Sequence, residues 1–153
     1  MDDAAMFPQL KLHLYARPPG TAAGPEQTIG GIRLPTLQCD GLATSQFPSS
    51  FEEVAERLQQ FDRMYFEYDG SFVWTGRSDE EDSRVTWQLD GMLYDYGGRL
   101  QRVELLGDCP LPQWQELMRA ITPLPETLLI HLIEQHCFVP AEALERLWSS
   151  PDA

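Results

Sequence analysis

Asparagine is missing from this 153-residue chain, and lysine occurs once, as Lys11. Without asparagine there is no N-glycosylation sequon. Every other basic residue is arginine, a bias typical of GC-rich bacterial genomes. Long apolar runs are missing too. None approaches the roughly 18 residues that would span a bilayer, and the opening MDDAAMFPQL is acidic where a secretory signal would be basic. These absences point to a soluble, cytoplasmic protein that does not engage membranes. Cysteine is scarce: Cys39, Cys109 and Cys137 are an odd number without close pairing, which suits reduced thiols rather than a disulfide framework.

Basic clusters are equally absent. Eleven Lys and Arg against 24 Asp and Glu leave a formal net charge of -13. Such a field repels phosphate polyanions, so nucleic acid and anionic membrane surfaces are excluded as expected partners. Phosphate-cradling glycine loops, the Gly-x-Ser-x-Gly elbow and His-Glu-x-x-His are also missing, which removes the commonest nucleotide and hydrolase signatures.

What is present is the composition of a globular protein, 42% hydrophobic and 10% aromatic, enough to bury a core in a single domain over residues 1–153. Gln9 to Ala16 alternates Leu10, Leu12 and Leu14 with Lys11, His13 and Tyr15, the period of a strand with one wet face. Residues 18–48 are rich in Gly, Pro, Thr and Ser. They read as one long irregular loop with a short strand at TIGGIRLPTL, either functional or a wrap packed by Ile32, Leu34, Leu37 and Phe47. Ser50 and Glu53 form a capping box, and Phe51, Val54, Ala55, Leu58 and Phe61 repeat at helical spacing behind it.

The runs YFEYDGSFVW and TWQLDGMLYDY each hold an Asp-Gly pair, at 69–70 and 90–91, and Gly97-Gly98 follows. Such pairs supply the positive φ angles of two-residue hairpin loops, so three corners of an antiparallel meander of four to six strands are expected. A two-residue loop at 69–70 sets Tyr65 opposite Trp74 and Glu67 opposite Phe72, with Met64, Phe66 and Val73 on the other face. Beyond Pro110, Leu111, Trp114, Leu117, Met118 and Ile121 form a helical stripe. Pro125 and Glu126 open a third helix carrying Leu129, Leu132, Ile133, His136 and Cys137, Pro140 opens a short last one, and residues 149–153 are a frayed tail. The fold class is α+β, a meander with one helix before it and two or three after.

Four groups of reactive residues compete for a role, and each has a structural explanation. The acidic run Ser78 to Ser83 lacks the alternating ligands and central glycine of a calcium loop, and reads as solvated. In HLIEQHC, His131 and His136 stand about 140° apart on a helix and cannot clasp one ion, so His136 and Cys137 read as core. Cys109 precedes a helix, but Asp108 beside it disfavours a thiolate. Asp69 and Asp90 suit turn positions without any substrate.

No metal and no cofactor is expected. The reading that remains is a non-enzymatic binding or interaction domain with a protein partner or a second copy of itself. Its weakly marked surface is the hairpin face bearing Tyr65, Glu67, Phe72 and Trp74. The alternative is an enzyme of unrecognised type with a site between the 18–48 loop and the sheet.

Overall fold

A computed structural model describes residues 7–40, 46–77 and 86–149. The acidic run at 78–83, most of the expected tail and residues 41–45 lie outside them.

The strand in the N-terminal alternating segment, β1 (Leu10–Ala16), sits in the interior of a nine-stranded, wholly antiparallel sheet. Leu10, Leu12 and Leu14 are buried, whereas Lys11, His13 and Tyr15 point the other way, as a period of two requires. On one side β1 pairs with β9 (Arg99–Gly107), which continues to β8 (Thr86–Tyr96), β7 (Ser71–Arg77) and the edge strand β6 (Met64–Phe66). On the other side it pairs with β10 (Leu128–Leu132), then β11 (Cys137–Pro140), β5 (Leu37–Gln38) and the edge strand β2 (Ala22–Ala23). A separate hairpin, β3 (Gln27–Ile29) with β4 (Ile32–Leu34), completes the β structure of the described residues.

Among the described residues, three α-helices join one face of this sheet. The predicted capping box opens α1 (Phe51–Leu58): Glu53 N–H donates to Ser50 Oγ at 3.1 Å and Ser50 N–H to Glu53 Oε1 at 2.9 Å. In α2 (Leu111–Ile121) Pro112 occupies the first turn, and Trp114, Leu117, Met118 and Ile121 are buried as the stripe requires. The last, α3 (Ala141–Leu144), buries Ala141, Ala143 and Leu144. Together with Leu12, Leu14, Leu89, Leu93, Val103, Leu105 and Ile130 they make one core cluster. Mixed α+β architecture with an antiparallel sheet is therefore what the molecule has, with more strands than the meander of four to six expected from sequence.

Three local expectations are corrected. Asp90-Gly91 is not a corner, because β8 runs through it unbroken and Gly91 pairs with Phe72 and Leu105. The third helix is instead a 3-10 turn, Pro125–Thr127, followed by the β10–β11 hairpin. Leu128, Leu129 and Ile130 are all fully buried, and a short apolar run buried on both sides serves a central strand as readily as a helix. His136, expected in the core, is exposed at positive φ (57°) in the hairpin turn, while Cys137 is buried.

The 18–48 segment is not a single irregular loop. It contributes β2 to β5, and Ile29, Leu34 and Phe47 enter the core, which is the wrap. Among the described residues no helix is long and apolar enough to cross a membrane.

Candidate functional site

The helices cover the face to which Leu12, Val103 and Leu93 point, and the opposite face carries the alternate residues of the same strands. Register sets them in rows. His131, His13, Glu104 and Met92 run side by side across β10, β1, β9 and β8, with Phe138 of β11 beyond His131. A second row holds Lys11, Leu106, Asp90, Val73 and Tyr65. No described helix lies over these rows: Tyr65 is 61% and Leu106 54% exposed, and the other members are partly accessible or, for Lys11, exposed.

At the centre of this face is a polar network. Arg102 donates from Nε to Glu104 Oε2 at 3.0 Å, with Nη2 2.9 Å from the same oxygen. Tyr94 donates its hydroxyl to Glu104 Oε1 at 3.2 Å, and the Arg102 guanidinium lies 4.1 Å from the centre of the Tyr94 ring, within cation–π range. His13 Nε2 is 3.3 Å from Glu104 Oε2. Burial lowers the His13 pKa and Arg102 adds to the effect, against the attraction of Glu104. The balance favours the neutral imidazole, so the contact is weaker than a full ion pair.

His131 stands edge-on to His13 and stacks on Phe138, 4.6 Å between centroids. Its pKa is lowered by burial and then by the neighbouring His13 and His136. Burial raises the pKa of Tyr15, which flanks His13. Beside the network is a depression of about 300 Å³ lined by Lys11, His13, Asp90, Met92, Glu104 and Leu106.

The four residues expected to share a face do not. The 69–70 turn has a three-residue loop: Ser71 donates its N–H and hydroxyl to Asp69 Oδ1 at 2.9 and 2.6 Å, and Gly70 takes φ +97°. That extra residue shifts the register by one, so Tyr65 pairs with Val73 and Met64 with Trp74, and a shift of one exchanges the faces. Phe72 and Trp74 are 2% and 3% exposed inside the core, whereas Tyr65 and Glu67 are outside. By contrast Gly97 and Gly98, both at positive φ, form the expected two-residue loop between β8 and β9.

The remaining candidates offer little chemistry. Burial, reinforced by Asp108, pushes the Cys109 thiol up to about 12, so a nucleophilic thiolate is not accessible there near neutral pH. Burial also raises Cys39 and Cys137. Among the described residues no three His, Cys, Asp or Glu side chains are grouped to hold a metal. A cavity of about 400 Å³ does lie between the 18–48 segment, at Ile29 and Gly30, and the ends of β1 and β10. Its described lining holds the Lys11–Glu134 ion pair, at 3.9 Å, but no hydroxyl, thiol or imidazole.

In comparison with known proteins, no family model, no curated protein and no solved structure matches the chain.

The central network was not anticipated. Its one visible signal was the wet side of the β1 alternation, Lys11, His13 and Tyr15. Its partners Glu104, Arg102, Tyr94 and His131 come from strands whose pairing is long-range.

Proposed function

We propose that this chain is a protein-binding domain whose helix-free sheet face receives a basic protein partner. The observation that carries the reading is the composition of that face. Exposed Tyr65 and Leu106 accompany partly accessible Val73, Met92, Phe138 and Tyr94, a mixture of aromatic, Met and aliphatic surface typical of interfaces. Its central arginine is already paired with Glu104, so the face offers a firm, preorganised platform rather than free catalytic groups.

Charge favours a heterologous partner over a second copy. Each copy carries -13, and bringing like fields together is costly, whereas a basic surface would be steered inward. The same field argues against nucleic acid.

Site-specific photo-crosslinking tests this. A benzophenone side chain placed at Leu106, on the face, is expected to trap a discrete basic protein in cells of the source organism. The same group at Arg119, exposed on α2, is expected not to trap it. Crosslinks confined to position 119, or a homodimer that accounts for every adduct at 106, would overturn the proposal.

A further inference from the structure

The edge of the sheet next to Tyr65 has the features of a second, more specific contact. Alternation in an antiparallel pair decides which main-chain groups are free. Thr75 N–H donates to Arg63 C=O at 3.3 Å and Glu67 N–H to Ser71 C=O at 2.9 Å, so Arg63, Tyr65 and Glu67 face β7. The N–H and C=O groups of Met64 and Phe66 point away from the sheet, with no partner among the described residues. An edge of this kind is a template for another strand.

The edge does not look onto bare solvent. Between it and α1 runs a groove of about 570 Å³. Phe51, Ala55 and Phe66 give it an apolar floor, and Glu52, Glu56 and Glu67 stand around it. No basic side chain lines it, and none of the three carboxylates has an ion-pair partner among the described residues. Glu52 and Glu56 are one helical turn apart, about 6 Å along the axis. Alternate residues of an extended strand are separated by roughly 6.6 Å.

We infer that the β6 edge and the α1 groove together bind an extended, basic peptide segment as a tenth strand. Main-chain hydrogen bonds to Met64 and Phe66 would supply the pairing. Arg or Lys at alternate positions would meet Glu52 and Glu56, with their methylene stems resting on Phe51 and Phe66. This is strand addition with side-chain pockets for specificity, and it gives the acidic character of the chain a local use. The inference rests on the protein-binding reading and adds a peptide class and a docking edge to it.

Two synthetic heptapeptides of alternating Arg and Val test the inference, one plain and one N-methylated at alternate residues on the pairing edge. N-methylation keeps every charge but removes the N–H donors of the pairing edge, and the added methyl groups hold the strand away from it. At 150 mM salt, where exposed electrostatics are screened beyond about 8 Å, the plain peptide is expected to bind by fluorescence anisotropy and to shift the amide resonances of Met64 and Phe66. The methylated peptide is expected to fail. The Glu52→Gln/Glu56→Gln variant, which keeps the Ser50–Glu53 capping box, is expected to weaken the plain peptide about ten-fold.

Equal binding of both peptides, shifts centred away from residues 64–66, or no binding at millimolar peptide would each overturn the inference. The Leu106 crosslinks separate this failure from that of the wider reading. If they persist while the peptides fail, only the strand-addition step falls.

Discussion

Phe72 on β7 lies directly across from Gly91 on β8, and its ring fills the space a side chain at 91 would occupy. Four residues along, the pair is reversed: Trp87 on β8 lies across from Gly76 on β7 and covers it. Trp74 and Leu89 pair between them. Two aromatic-over-glycine pairs of opposite sense thus bracket the inner face of this strand pair. Each glycine serves close packing rather than a turn.

Gly91→Ala is therefore expected to destabilise the fold by about 1–3 kcal/mol through overpacking, although the backbone at 91 is ordinary strand. Phe72→Leu should remove the obstruction. In a double-mutant cycle followed by chemical denaturation, Gly91→Ala should cost clearly less in the Phe72→Leu background. Additive costs would mean that the ring and the glycine are not coupled.

The two hairpin turns separate backbone cost from crowding. Gly97 has positive φ with nothing within 4 Å of an added Cβ, whereas at Gly70 the added Cβ would lie 2.6 Å from the Leu93 carbonyl oxygen and 3.1 Å from Phe51. Gly97→Ala is expected to cost about 1 kcal/mol, the left-handed penalty alone. Gly70→Ala should cost about 3 kcal/mol, because overlap adds to it. Equal losses in urea titrations would contradict this division.

These glycines also show where local sequence chemistry suffices. The β1 alternation, the Ser50–Glu53 capping box and the Gly97-Gly98 loop were legible because each is decided by neighbours in the chain. Asp90-Gly91 has the same local signature as a turn, but Phe72 needs the glycine from across the sheet. Leu128 to Leu132 carries no usable period, since pairing with β1 and β11 buries three consecutive residues. The polar network was illegible for a related reason. His13 meets Glu104 only through the β1–β9 register, and one extra loop residue, as at Asp69-Gly70, is enough to exchange the faces.

Thiol reactivity should follow burial. Cys109 is fully buried with its pKa pushed up to about 12, and Cys137 is buried, while Cys39 is partly accessible. With Ellman's reagent at pH 8 the native protein is expected to show one readily titrated thiol, lost in Cys39→Ser, and all three only after unfolding. Rapid native modification of Cys109 would contradict the packing around α2.

The paired imidazoles of the helix-free face make stability depend on pH in a defined window. Folding lowers the pKa of both His13 and His131, in each case chiefly by burial. The unfolded chain, with histidines near 6.5, therefore takes up protons at a higher pH than the folded one. Between the two values the unfolded state binds more protons, so stability rises with pH. The contribution is fully present above about pH 6.5 and is lost as pH falls toward the depressed folded values. The melting temperature should accordingly drop between pH 7.5 and 5.5, a range above the ordinary carboxylate pKa values. His13→Gln/His131→Gln should flatten that drop while leaving the protein folded at pH 7.5, since both imidazoles are neutral there. An unchanged pH slope in the double variant would show that these two residues are not its source, and that their packing on the sheet differs from the arrangement of His13, His131 and Phe138 described above.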